Sequence, residues 1–157
     1  MLDASLNDFL SHQTLMYAGT SSADGTPQVH RVFGWRTDKA AGTFTAFIPA
    51  PFTQGLADNV AANPRIAVNV AHTQTFESYQ FKGRVISVTD GDEAVAAEQE
   101  ELRALCVNAA QETAVHLVPF WQYHPTSPCT VVTFKVDEAY AQSPRPGTGH
   151  AVEKREA

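Results

Sequence analysis

Apolar residues recur along this chain at two periods, and the alternation of those periods predicts its elements. Leu2, Leu6, Phe9 and Leu10 fall on one helical face, with Asp3 or Ser5 available as a cap, so residues 3–12 are predicted as a short amphipathic helix. A strand follows over 15–20, then Ser-Ser-Ala-Asp-Gly, then a second strand over 27–33. Asp24-Gly25 between two β-rich runs is a hairpin signal, because glycine accepts the positive φ that such turns need. A second turn around 37–42 leads to a third strand over 43–48, which completes an antiparallel meander.

The prolines of Pro49-Ala50-Pro51 lack backbone donors and interrupt regular pairing. Leu56 and Val60, at i and i+4, predict a short helix over 56–62 that ends at Asn63-Pro64. Residues 65–70 and 79–85 alternate apolar with polar and read as strands. From 90 to 117 the period lengthens again. Asp90 and Asp92 stand where negative charge favours a helix start, and Val95, Leu102, Leu105, Cys106 and Ala109 share a face. A loop over 119–128 carries Phe120, Trp121 and Tyr123, and a last strand is expected over 129–136. Six strands in this order suffice for a closed or nearly closed barrel. The segment from Ser143 is expected to be irregular, with residues 151–157 a disordered tail beyond a single domain over 1–150.

Composition changes this picture little. The chain has 157 residues, 43% hydrophobic, enough for one ordinary globular core. Charge is more informative. The net charge is −6, yet residues 1–89 carry six groups of each sign, so the whole excess lies beyond them, much of it on the long helix at Glu98, Glu100, Glu101 and Glu112. No basic stripe marks a nucleic-acid or anionic-membrane surface, and neither is expected as a partner. The acidic N-terminus lacks the basic start of a signal peptide, and no stretch is long and apolar enough to span a bilayer, so a cytoplasmic location is expected.

Motifs for standard chemistries are absent. Cys106 and Cys129 form no C-x-x-C pair and are expected as buried thiols, and the six histidines show no metal-ligand spacing. The sequence contains no G-x-S-x-G elbow, phosphate-cradling G-x-x-x-x-G-K or strand-linked G-x-G-x-x-G.

Order and content together carry a different signal: a helix, the turn Ala23-Asp24-Gly25-Thr26-Pro27, a strand bearing His30 and Arg31, a strand ending Phe47-Ile48-Pro49, and a short helix ending Asn63-Pro64-Arg65. The pattern continues through Phe76-Glu77-Ser78-Tyr79-Gln80-Phe81-Lys82-Gly83-Arg84-Val85 and ends with Phe134 to Tyr140 and Ser143-Pro144-Arg145-Pro146-Gly147. Over roughly residues 5–150 it resembles the pyridoxamine 5'-phosphate oxidase-like, FMN-binding split-barrel superfamily. The resemblance implies a mainly β (α+β) fold, a six-stranded antiparallel split barrel with flanking helices. It also implies a homodimer with FMN at the subunit interface and an oxidoreductase acting on a small-molecule substrate. Deazaflavin or haem is the alternative cofactor, with His30 or a tail histidine as its contact, and a non-catalytic binding module is the alternative role.

Carried onto this chain, the resemblance implies cofactor contacts from His30, Arg31 and Val32 on the second strand. Phe47 and Ile48 would lie beneath the flavin ring, Thr53 and Gln54 at the phosphate, and Gln80 and Lys82 on the later strand. The chain departs from the family in one respect: no Arg or Lys lies between Lys39 and Arg65, where a second phosphate cation is usual. Strand parity also sends His30 and Arg31 to opposite faces unless a bulge intervenes. The tail lacks the Arg-rich signature of the true oxidases, so pyridoxamine phosphate itself is not the expected substrate.

Overall fold

A computed structural model describes residues 9–10, 14–113, 116, 118–123, 125–144, 146, 148–149 and 151–154. The predicted first helix falls mostly outside them; Phe9 and Leu10 are helical and buried. His12, His124, Arg145 and His150 also lie outside the described residues.

Strand β1 (Thr14–Ser21) turns through Asp24-Gly25 into β2 (Pro27–Val32), and after a break at Phe33 the chain continues as β3 (Gly34–Asp38). Strand β4 (Thr43–Pro49) is followed by a 3-10 turn (Ala50–Phe52) and helix α1 (Leu56–Ala62). Then come β5 (Arg65–His72), β6 (Ser78–Asp90), α2 (Glu93–Thr113), α3 (Val118–Gln122), β7 (Cys129–Ala141) and β8 (Ala151–Lys154). The sheet order is β2-β1-β5-β6-β7-β4-β3 with neighbouring strands antiparallel, and β8 is added beside β7. Because β2 and β3 adjoin in sequence, their run closes the ring, and the Phe33 N–H donates to the Phe47 carbonyl (3.0 Å) at the seam. The fold is a mainly β split barrel with flanking helices.

Alternation decides what fills it. Met16, Ala18, Val32, Phe44, Ala46, Ile48, Val68, Phe81, Val132 and Phe134 point inward and are buried. Phe44 packs its ring 5.6 Å from Phe81 and 5.4 Å from Phe134, and each enclosed aromatic contributes roughly 1.5–3 kcal/mol by transfer from water. A second cluster of Phe33, Cys106, Ala110 and Trp121 seats α2 and α3 on the outside of the wall.

The pattern placed six strands correctly and missed two. β3 is too short and too close to β2 to read separately. The stretch from 151 to 154, read as tail, pairs with the far half of β7, which extends beyond the end of β4. The loop expected over 119–128 begins as helix α3, which tolerates Pro119 at its start because the missing N–H there has no partner to lose. Helix α2 starts later than expected, with β6 running to Asp90 and the Asp92 Oδ1 accepting from the Val95 N–H (2.9 Å). Leu105, assigned to its buried face, is 63% exposed; Cys106 takes the inward position. No helix among the described residues is long and apolar enough to cross a membrane.

Candidate functional site

His30 and Arg31 are adjacent in β2, both buried, and on opposite faces of the wall. His30 pairs across the sheet with Ala18, which pairs with Val68, and this row lies inside the barrel. Arg31 pairs with Tyr17, which pairs with Asn69, then Gln80 and Tyr140, and this row lies outside.

Inside, His30 is fully engaged. Its Nδ1 stands 2.9 Å from the Phe52 carbonyl, which can only accept, so Nδ1 carries the proton and Nε2 accepts from the Thr20 hydroxyl at 2.8 Å. The Thr20 oxygen accepts in turn from Asn59 Nδ2 (2.9 Å), whose other hydrogen reaches Gln28 Oε1 (2.6 Å). Four side chains thereby fix the start of α1 against β1 and β2. Gly55 begins that helix at φ 72, and a Cβ there would overlap the Gln28 amide, so both space and conformation require glycine. With both nitrogens engaged, His30 has none to offer a haem iron or a phosphate.

Outside, Arg31 is only 6% exposed and has no carboxylate partner among the described residues. Its Nη1 donates to the Met16 carbonyl (3.1 Å), while Nε and Nη2 are buried without a hydrogen-bond partner. Rings surround the guanidinium instead, with centroids at 4.6 Å (Tyr17), 5.0 Å (Phe33), 5.1 Å (Phe120) and 5.9 Å (Trp121). Burial pulls its pKa below the ordinary arginine range. The neighbouring Cys106 thiol is pushed up to about 11, chiefly by burial and against the pull of the Arg31 cation, so at neutral pH it supplies no negative charge. A buried cation with two unsatisfied donors is suited to receive an anion.

The next outer row runs Val29-Gly19-Ala67-Lys82-Glu138, and from Gly19 onward it floors a cleft of about 520 Å³ lined also by Thr20, Ser21, Arg65 and Gly83. Lys82 lies at this cleft, its Nζ 4.7 Å from the Tyr140 ring centroid, and Gln80 is one row away. Three of the expected cofactor residues, Arg31, Gln80 and Lys82, therefore share one outer face.

The others do not join them. Val32 and Ile48 point into the barrel; Phe47 faces the opposite way, beside Gly34, Gln99 and Arg36, and all three are enclosed. Phe47 and Ile48 thus cannot together floor a flavin ring. Thr53 donates its hydroxyl to the Ala50 carbonyl (2.9 Å) within the 3-10 turn, and Gln54 is exposed beside it. The aromatic enclosure of Arg31 was not anticipated. A two-residue turn at Asp24-Gly25 would pair Tyr17 with Val32, whereas the strands pair Tyr17 with Arg31, and nothing in the sequence brings α3 across it. Among the described residues no group of three metal-ligating side chains occurs.

Comparison with known proteins agrees with this architecture. HupZ of Group A Streptococcus superposes with a TM-score of 0.59 at 16% identity, covering 96% of this chain and 99% of that one. An F420 reductase gives 0.54 at 14% identity over 85% and 94%. A Clostridium acetobutylicum protein related to general stress protein 26, of the pyridoxinephosphate oxidase family, gives 0.52 at 12% identity over 95% and 91%. At these identities the likeness establishes the fold alone. No curated protein sequence matches significantly. The sequence profile described as pyridoxamine 5'-phosphate oxidase matches residues 2–143, and the chain belongs to that family.

Proposed function

We propose that this chain binds FMN and works in the cytoplasm as a homodimeric oxidoreductase on a small molecule. The observation that carries the reading is Arg31: a desolvated cation with Nε and Nη2 unsatisfied fits the phosphate of a flavin nucleotide. Family membership supplies the prior. FMN, when bound, supplies the redox chemistry; the protein supplies position and charge. Arg31 donates to the phosphate oxygens. Gln80 and Lys82 stand further along the same face, where a polar group and a cation orient the ring. His30 supports the site from within by holding Phe52 and α1 in place. Val29, 71% exposed, and Tyr17, 45% exposed, lie on this face and suit burial against a second copy of the chain.

The absence of any Lys or Arg near Gln54 favours a second reading, a binding module that takes a phosphorylated ligand without turnover. The absorbance spectrum of freshly purified protein, with mass measurement of any released cofactor, separates these. A flavin spectrum and the mass of FMN support the enzyme, and a deazaflavin mass replaces the cofactor. A colourless protein that takes up no added FMN ends the flavin reading.

A further inference from the structure

The four rings around Arg31 differ in kind. Phe33 and Trp121 are buried and belong to the packed cluster beneath, whereas Tyr17 and Phe120 are partly open, Phe120 at 37%. Phe120 and Trp121 meet edge to face at 5.3 Å, and both come from α3, a five-residue helix whose end is tied to α2 by Arg103 donating to the Gln122 carbonyl (2.8 Å). Among the described residues the guanidinium donates to the barrel wall, at the Met16 carbonyl. From α3 its contacts are with the rings of Phe120 and Trp121.

We propose that α3 is a lid over Arg31: its aromatic pair covers the guanidinium when no ligand is present, and yields when an oxyanion takes Nε and Nη2. The inference rests on the reading of Arg31 as an oxyanion anchor and adds to it a moving part. Ring faces satisfy the cation's charge but not its donors, and an oxyanion satisfies both. The ring contacts are therefore the ones a phosphate can displace, while the Met16 hydrogen bond keeps the guanidinium in place. The geometry also requires movement, since a residue 6% exposed cannot accept a phosphate without displacing what covers it.

Hydrogen exchange of the α3 amides tests this in the full-length protein, with FMN, with riboflavin, and with inorganic phosphate at tens of millimolar. FMN is expected to speed exchange over Phe120–Gln122 several-fold, and phosphate to do so more weakly. Riboflavin, lacking the oxyanion, leaves α3 unchanged. Phe120→Ala, checked for an unchanged fold by circular dichroism, is expected to bind FMN about 2- to 5-fold more tightly, the loss of one ring contact that competes with the ligand. If FMN binding depends on Arg31 but α3 exchange is constant and Phe120→Ala binds no better, the lid is wrong and the anchor stands. If FMN affinity is indifferent to Arg31→Ala, the anchor itself is wrong. If FMN does not bind, absence of a response to inorganic phosphate overturns the lid as well.

Discussion

His30 and Arg31 are neighbours in β2 that the pleat sends to opposite sides of the barrel wall, one into a closed hydrogen-bond network and the other beneath four aromatic rings. The two residues accordingly differ in what their loss should do. His30→Ala removes a buried ring and leaves the Phe52 carbonyl and the Thr20 hydroxyl without their partner. A loss of about 2–4 kcal/mol in urea denaturation is expected, whether or not ligand is present. An unchanged midpoint would mean that the network does not hold α1.

Gly83 sits at the register shift between β6 and β7, where a Cβ would overlap the Lys135 carbonyl. Backbone cannot yield as a flexible side chain does. Gly83→Ala should therefore cost about 1–3 kcal/mol or more, and should broaden amide resonances along β6 and β7. A variant with wild-type melting temperature and spectra would show that the strands separate freely at this point.

Cys106 gives a pH dependence on the alkaline side. Burial pushes its thiol up to about 11 from the ordinary 9.0, so the folded state holds the proton more tightly than the unfolded chain. The stability this contributes is complete below pH 9 and falls as pH rises from 9 through 11. Cys106→Ala should flatten that part of a stability-versus-pH curve measured by thermal unfolding.

How much of this was legible in the sequence depends on the range of the contact. Alternation and turn residues gave the parity that separates His30 from Arg31, because strand period and the Asp24-Gly25 turn are local. They also gave α1 from Leu56 and Val60. The lengths that matter to the site were not local. Strand β3 follows the break at Phe33 too closely to stand apart, and α3 contacts Arg31 from almost ninety residues further along the chain. Phe47 and Ile48 read as a pair beneath a ring, yet adjacent residues in a strand face opposite ways, and both proved to be enclosed.

Asp24 reports on the β1–β2 turn from the acid side. It accepts from the Ser22 hydroxyl (2.5 Å) and the Thr26 N–H (3.1 Å), and these bonds, the Ser22 one first, lower its pKa to about 2 from 3.8. The turn is thus strengthened above pH 3.8 and weakens as pH falls towards 2. Carboxyl chemical shifts of Asp24 followed by NMR should show that midpoint, and Ser22→Ala should move it upward. A midpoint near 3.8 in the wild type would show that the turn does not hold the carboxylate.

The central claim is that Arg31 receives the phosphate of a flavin nucleotide, and calorimetric titration of FMN into the wild-type protein and Arg31→Ala tests it most directly. Loss of charge-assisted hydrogen bonds worth about 1.5–3 kcal/mol predicts FMN binding weakened about 10- to 100-fold in the variant. Riboflavin should bind both proteins alike, and circular dichroism should show both folded. Equal FMN affinity in two folded proteins would contradict the account.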